Sequence, residues 1–373
     1  MSGTQPAGMC YTSGTTGRPK GVEYTQAMLY AHSLMAITPV TFDIDEADVV
    51  LPVVPLFHVN GWELPYAVTM TGAKQVYPGP SPDSAALARL IDDENVTFTA
   101  GVPTVWIDLL EYLEDDEADL SSLDRILTGG SAIPREIMRR YDEAYDVTIE
   151  HAWGMTETMS VGSYSRPKSS MDDWSVEEQY DVRMKQGLLS PGLEMKVVND
   201  EGEEVPWDGD SFGELYVRGP TVVSEYYNDP EATREDFENG WLETGDIVTV
   251  DEAGYIEIVD RATDVIKSGG EWISSIELEN ALMEHDDVVE AVVVAVPDER
   301  WQERPLACVV TRDDATVTAD ELRDFLNEAY PRWWLPDDVV FVDEIPKTAT
   351  GKFDKKVLRD EYEDAPRRWT PGT

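Results

Sequence analysis

The sequence predicts an α/β protein in which a parallel sheet with flanking helices is followed by a small β section and then by a small α+β C-terminal domain. Three observations predict it. Between residues 26 and 152, apolar runs of strand type alternate with helical patterns, as in a parallel sheet covered by helices. From about Gly162 the strands shorten and are broken by Pro-Gly, Asn-Asp and Asp-Gly pairs, which read as an all-β section. Near Asp260 the pattern changes again, leaving roughly a hundred residues for a last domain.

The elements follow in order. Thr25 can cap a helix from about Gln26 to Ile37, with the preceding polar loop resting on a strand-to-helix corner. Val49 to Leu56 is a run of buried-strand type, Gly61 to Thr71 reads as helix and Gln75 to Tyr77 as a short strand. Ser81-Pro82 opens another helix. Val96 to Ala100 is a strand, Pro103 to Glu114 a helix, Arg125 to Thr128 a strand, Pro134 to Ala144 a helix and Thr148 to Ala152 a strand. Glu194 to Val198 and Phe212 to Arg218 belong to the β section. Beyond Asp260, Ile276 to Met283 and Ala319 to Ala329 read as helices, and Val288 to Val296 and Pro305 to Val310 as strands. The expected division is a large domain over 1–259, made of an α/β subdomain over 1–160 and a β-rich section over 161–259, and a C-terminal domain over 260–373.

Composition bounds the function. With 42% hydrophobic residues and 11 Trp among 373, the chain can bury a substantial core. Against 75 acidic residues stand 29 Lys and Arg, a formal charge of -46 spread along the sequence. Aromatic content and regular apolar runs argue against disorder, so the acidity points to a salt-adapted protein whose self-repulsion is screened in concentrated salt. Nucleic acid and anionic membranes are poor partners for it. Cys10 and Cys308 cannot build a disulfide framework, and the four histidines show no ligand spacing. The N-terminus lacks a basic segment followed by an apolar one. The longest apolar run, Ala291 to Val296, is too short for a bilayer, so no stable membrane insertion and a cytoplasmic location are expected.

The densest chemistry lies in Tyr11-Thr12-Ser13-Gly14-Thr15-Thr16-Gly17-Arg18-Pro19-Lys20-Gly21-Val22. Backbone N–H groups, hydroxyls and one cation within a dozen positions suit a bound polyanion. Pro19 before Lys20 and Gly21 after it exclude the G-x-x-x-x-G-K-[ST] loop. This stretch resembles the signature loop of the adenylate-forming enzymes, which comprise acyl-CoA synthetases, luciferases and peptide-synthetase adenylation domains. The resemblance implies that Thr12, Ser13, Gly14, Thr15, Thr16, Gly17 and Lys20 hold the phosphates of ATP.

Six further blocks follow in the family order. Pro55-Leu56-Phe57-His58-Val59-Asn60-Gly61-Trp62 ends a buried strand, and spacing alone leaves a core histidine and a packed Trp open. The resemblance makes it the border of a carboxylic-acid pocket, with His58, Val59, Trp62 and, from the next block, Gly129 facing the acid. Thr128-Gly129-Gly130-Ser131-Ala132 is a glycine turn. In the family the matching backbone borders the adenine ring, which implies Gly130, Ser131 and Ala132. In Trp153-Gly154-Met155-Thr156-Glu157, Glu157 could hold a metal ion against phosphate oxygens, and Trp153 offers a flat surface to a base. A helix N-terminus with Thr156 as its cap and Glu157 on the dipole is equally open. By resemblance to the Y-G-x-T-E block, Glu157 binds magnesium, Thr156 the α-phosphate, and Trp153, followed by the matching Gly154, replaces the usual tyrosine at the adenine.

Asp246, in Trp241-Leu242-x-Thr244-Gly245-Asp246, can accept hydrogen bonds from both hydroxyls of a ribose, or can be an acid in a turn. Asp260-Arg261 to Ser275 looks like the family's hinge segment. The resemblance implies that Arg261 reaches ribose or phosphate and that Gly269, Gly270 and Glu271 border the pantetheine arm of coenzyme A. Lys267 would serve the second half-reaction. Thr263 stands where a hinge Lys or Asp is usual. Finally Pro346-Lys347-Thr348-x-Thr350-Gly351-Lys352 contains a lysine that is unremarkable on a surface. At the family's matching place Lys352 contacts the carboxylate and the α-phosphate during adenylation.

The resemblance therefore implies an adenylate-forming fold and an ATP- and Mg2+-dependent ligase that joins a carboxylic acid to coenzyme A. Asn60 to Tyr66 and Gly269 to Ser275 are similar to medium- and long-chain fatty acyl-CoA synthetases. Family members carry a further α/β subdomain before the phosphate loop. Its lack here leaves three expectations open: a truncated synthetase, one piece of a split enzyme completed by a complementing N-terminal chain, or a nucleotide-binding remnant without turnover. No pattern in the sequence supports or opposes a homodimer.

Overall fold

The polar N-terminal loop is carried on a hairpin. The computed structural model describes residues 3–12, 18–80, 82–116, 118–312, 315–347 and 353–362. Pro6–Tyr11 pairs antiparallel with Gly21–Thr25, Tyr11 lying opposite Gly21. The loop thus joins two strands and does not rest on a strand-to-helix corner. Helix Gln26–Ala36 starts one strand later, where Thr25 accepts a hydrogen bond from Met28 N at 3.2 Å.

The described residues fall into two compact units, one formed by those up to 244 with 249–258, the other by 245–248 with those from 259 onward. The first is built on a seven-stranded sheet in the order Lys74–Gln75, Val49–Pro52, Phe98–Gly101, Arg125–Gly129, Thr148–Trp153, Ser163–Ser165, Leu188–Leu189. The first five strands are parallel and the last two antiparallel. Alternate side chains enter opposite cores, as strand geometry requires. Leu51 and Ile126 join Trp106, Leu109 and Tyr141 on one face, whereas Val50 and Leu127 join Phe42, Leu64 and Phe98 on the other.

Several expected elements shift. The strand from Val49 ends at Pro52, four residues short of Leu56, and the strand near Gln75 is Lys74–Gln75. The helix expected from Gly61 is interrupted: Val59, Asn60, Gly61, Trp62 and Glu63 all have positive φ, and helix Leu64–Thr71 begins only where Pro65 fits its first turn. The next helix starts at Ser84, capped by Asp83 through Ala86 N at 2.8 Å. The β section also contains helices. Ser175 and Glu178 form a capping box at the start of Val176–Met184, and Asp229 caps Pro230–Asp236. The section's strands run in the order Glu194–Val198, Phe212–Arg218, Trp241–Val250, Phe237–Glu238.

In the second unit, strands Glu271–Ile273, Ile266–Ser268, Gln302–Thr311 and Val288–Asp298 form an antiparallel sheet, with Asp338–Phe341 parallel to Gln302–Thr311. Leu278 and Leu282 of helix Ser275–Met283 and Leu322 and Leu326 of helix Ala319–Ala329 pack on one face. Leu358 of helix Lys355–Tyr362 packs with Val292, Val294 and Cys308. No helix among the described residues is long and apolar enough to cross a membrane.

Candidate active site

The stem of the loop between Tyr11 and Gly21 is closed by reciprocal bonds: Thr12 N donates to Lys20 O at 3.0 Å, and Lys20 N donates to Thr12 Oγ1 at 3.0 Å. Ser13, Gly14, Thr15, Thr16 and Gly17 lie outside the described residues. Lys20 Nζ points to Asp236 Oδ2 at 2.5 Å and lies 4.6 Å from the centre of the Tyr226 ring. The Tyr226 hydroxyl is 2.7 Å from both Asp236 Oδ2 and Glu157 Oε1. Glu157 is buried, and burial pushes its carboxyl up, against the lowering effect of the Tyr226 hydroxyl and the Lys20 charge. Tyr24, also buried, donates to Thr156 O at 2.7 Å, and Val223 N donates to Glu157 O at 2.9 Å. Hairpin, acid and lysine are thereby tied into one cluster with Cys10, Val22, Met159 and Val223.

Strand Thr148–Trp153 delivers this acid. At Gly154 an added Cβ would lie 1.2 Å from Ser160 O, so the turn admits no side chain. The Trp153 ring is buried against Gly162, whose Cβ position is 2.3 Å from it. The indole face expected to stack a base is therefore largely enclosed. Gly129 is equally constrained, its Cβ position 2.7 Å from Ala152 O and 3.5 Å from the Trp62 ring. Gly130 turns the chain at φ +86°, leaving Ser131 and Ala132 exposed. Behind the turn, His151 is fully enclosed with its ring nitrogens 3.1 Å from Ser131 O and 3.0 Å from Met184 O, and burial lowers its pKa.

The expected acid-binding block divides. His58 is exposed beside Leu56 and Phe57, whereas Val59 and Trp62 are buried. Trp62 O accepts from Ser160 Oγ at 3.2 Å, and the same hydroxyl lies 3.2 Å from His32 Nε2. Next to them Glu63 is fully buried, and neither carboxylate oxygen has a hydrogen-bond partner among the described residues. Burial, opposed by the Asn60 amide, pushes its carboxyl up to about 8. A recess of about 420 Å³ lined by Leu56, Asn60, Tyr66, Thr69 and Tyr77 opens nearby.

In the second unit Asp246 and Arg261 meet, Oδ1 to Nη1 at 3.0 Å, with Asp246 buried and Arg261 half exposed. Ala262 N donates to Gly245 O at 2.9 Å, fixing the two segments side by side. Lys267 lies across the strand pair from Trp272, its Nζ 4.8 Å from that ring, and Glu303 accepts from Lys267 N at 2.8 Å. Gly269 and Gly270 have φ of +65° and +89°. A side chain at Gly269 would strike the Trp301 ring at 2.7 Å, whereas Gly270 and Glu271 are open to solvent. Thr263 O accepts from Arg359, which also pairs with Asp264. Lys352 lies outside the described residues. Its flanks are joined by a bridge between Lys347 and Phe353 and by Asp354 N donating to Pro346 O at 2.8 Å.

Sequence reasoning missed Tyr226, Asp236 and Glu63, and in the second unit Lys355 and Glu279, which pair at 2.7 Å. Asp236 lies 10 positions from Tyr226 and 216 from Lys20, and no local pattern carries such contacts.

The chain belongs to the AMP-binding enzyme family. The profile of that family matches residues 1–227, and the profile of the AMP-binding enzyme C-terminal domain matches residues 277–352. Among curated relatives, it is 50% identical over 96% of its length to a long-chain-fatty-acid–CoA ligase of Thermus thermophilus. It is 43% identical to a medium-chain-fatty-acid–CoA ligase of Ectopseudomonas oleovorans and to a 3-methylmercaptopropionyl-CoA ligase of Ruegeria lacuscaerulensis, again over 96% of the chain. The chain spans 66% of the length of each. Among solved structures, ATP-bound MatB from Rhodopseudomonas palustris superimposes with a TM-score of 0.84 at 26% identity, over 98% of this chain and 69% of that one. The o-succinylbenzoate CoA synthetase MenE of Bacillus subtilis with its acyl-adenylate gives 0.83 at 30% identity, over 99% and 71%. The family and the fold expected from the motifs are thereby borne out.

Proposed function

We propose that the chain acts as an AMP-forming acid–thiol ligase that activates a fatty acid with ATP and transfers it to coenzyme A. The reading is carried by the 50% identity, over nearly the whole chain, to a relative named as a long-chain-fatty-acid–CoA ligase. In the first step a carboxylate oxygen attacks the α-phosphorus and the bond to pyrophosphate breaks, leaving an acyl-adenylate. In the second the thiol sulfur attacks the acyl carbon, AMP departs and the thiol proton passes to solvent. A carboxylate is already ionised at neutral pH, so the first step needs positioning and charge neutralisation and no general base.

In the first unit, Lys20 and the loop before it would hold polyphosphate, Thr156 the α-phosphate, and Gly130, Ser131 and Ala132 the adenine. Val59, Trp62 and Gly129 would border the acid. Among the described residues no three His, Cys, Asp or Glu side chains form a metal-holding group. Magnesium fits this better than a caged ion would, because it takes one or two carboxylates and fills its shell with phosphate oxygens and water. Glu157 is the residue that would hold it, and the bound ion would supply charge neutralisation at the phosphates. In the second unit, Asp246 with Arg261 would take the ribose, Lys352 the reacting carboxylate, and Gly269, Gly270 and Glu271 the pantetheine arm, with Lys267 beside them. The functional division we propose runs at 259/260. Two free, buried cysteines support a reducing, cytoplasmic setting.

Exchange of labelled pyrophosphate into ATP tests this, with the chain in concentrated potassium chloride, magnesium and a panel of acids. We expect exchange with medium- and long-chain fatty acids above short or aromatic ones, reduced at least about a hundredfold by Lys352→Ala. A folded chain that binds ATP without exchange is a nucleotide-binding module and not a ligase on its own.

A further inference from the structure

Lys20, the cation that the phosphate reading depends on, already has a counter-ion. Its Nζ lies 2.5 Å from Asp236 Oδ2, and the two side chains are 24% and 29% exposed, so the pair is open to exchange with a solute. Asp236 is held in place by its helix: Asp229 caps Pro230–Asp236 through Ala232 N, and Thr233 Oγ1 accepts from Tyr226 N at 3.0 Å. Tyr226 is buried, with Phe237 edge-on at 5.5 Å, and its hydroxyl is equidistant from Asp236 Oδ2 and Glu157 Oε1. A phenol has one proton and can donate to only one of these carboxylates at a time.

From this geometry we infer that Asp236 is a specificity-determining residue for polyphosphate: the resident counter-ion that ATP or pyrophosphate must displace from Lys20. The inference rests on the nucleotide reading above. A phosphate approaching Lys20 meets the Asp236 charge within a few ångströms, where repulsion between unit charges outweighs the gain from a pre-oriented lysine. Asp236 therefore weakens polyphosphate binding and eases pyrophosphate release. When Lys20 turns to phosphate, the Tyr226 proton compensates Asp236, and Glu157 Oε1 is released from that hydrogen bond. AMP, whose single phosphate is assigned to Thr156, does not need the exchange.

Calorimetric binding of Mg-ATP, Mg-pyrophosphate and AMP to the whole chain, to Asp236→Asn and to Asp236→Glu tests it. Asp236→Asn should tighten ATP and pyrophosphate about fivefold in about 0.5 M potassium chloride, less in about 3 M, where the screening length falls below about 3 Å. AMP affinity should change less than about twofold, and Asp236→Glu, which keeps the charge, should bind like the unaltered chain. The pyrophosphate concentration that half-saturates the exchange reaction should fall along with its dissociation constant. Unchanged or weaker pyrophosphate binding in Asp236→Asn overturns the inference, as does equal tightening of AMP, which would mark a general structural effect. If the unaltered chain binds pyrophosphate and Asp236→Asn does nothing, only the role of Asp236 fails. If it binds none of the three ligands, the nucleotide reading fails and the inference falls with it.

Discussion

Each unit contains a lysine set among acids, and the two clusters behave differently. Lys20 meets Asp236 at a surface where each side chain keeps about a quarter of its exposure, with Tyr226 and Glu157 behind. Lys355 meets Glu279 at 2.7 Å and Ser275 Oγ at 2.6 Å, with side-chain exposures of 12% and 9% for the ion pair. Ser275 in turn donates to Asp260 Oδ2 from both its N and Oγ at 2.6 Å. Burial pushes the Glu279 and Asp260 carboxyls up; it would lower the Lys355 ammonium, but Glu279, Asp260 and Asp264 together outweigh it and hold it raised. Where water reaches the pair, a phosphate can replace a carboxylate. Where it does not, compensation comes from within the protein: the lysine, Ser275, and the backbone N–H groups of Val293 and Arg261, which donate to Glu279 Oε1 and Asp260 Oδ1 at 2.8 Å. The buried cluster therefore anchors helix Lys355–Tyr362, three residues beyond Lys352, whereas the open one is free to exchange.

Cutting each cluster measures that contrast. Lys355→Met should cost about 3–5 kcal/mol in chemical denaturation, because it strands two buried carboxyls. Lys20→Met should cost less than about 1 kcal/mol, since solvent screens what remains. Similar costs for the two would break the comparison.

Glu63 is the limiting case, a buried acid with no hydrogen-bond partner among the described residues. Its folded pKa, about 8, lies above the ordinary 4.5, so the folded state holds the proton more tightly than the unfolded chain does. Its contribution is fully present below about pH 4.5 and is lost as pH rises through about 8. Glu63→Gln should flatten that slope and stabilise the chain by up to about 5 kcal/mol above pH 8, read from denaturation midpoints across pH. A mutant that keeps the wild-type slope would assign the pH dependence elsewhere.

Tyr226→Phe removes one hydroxyl from between two carboxylates and should cost about 1 kcal/mol, with the transition followed by tryptophan fluorescence. The smallest effect belongs to the exposed pair Lys74–Glu94, with exposures of 52% and 39%. Lys74→Ala should shift stability by no more than about 0.5 kcal/mol, and a larger change would show that exposure alone does not rank these pairs.

Much of the site was legible because the chemistry is concentrated in short segments. The loop from Tyr11 to Val22, the Thr156-Glu157 pair and the glycines at 129, 130, 269 and 270 announce themselves by residue type. The structure adds the steric reason for Gly129, Gly154 and Gly269, each of which faces an atom under 3 Å from where a Cβ would stand. Trp153 read as a stacking surface, yet its ring is packed against Gly162. Burial of a large side chain depends on what the chain brings back beside it, here a residue nine positions later across a turn. The break at Val59–Glu63 was hidden because helical periodicity continues through it, and only backbone conformation records the left-handed turn.

By itself the sequence determined the family, the order of α/β, β-rich and α+β regions, and the residue types available for phosphate, metal and ribose. Those follow from local chemistry: capping hydroxyls, turn glycines, and the periods of strand and helix. Tertiary structure alone decided which charges meet. Lys20 meets Asp236, 216 positions away, and Lys355 meets Ser275, 80 positions away. Coulomb energy and desolvation depend on distance and exposure in space, so which lysine is open to exchange and which is locked emerges only once the chain has folded.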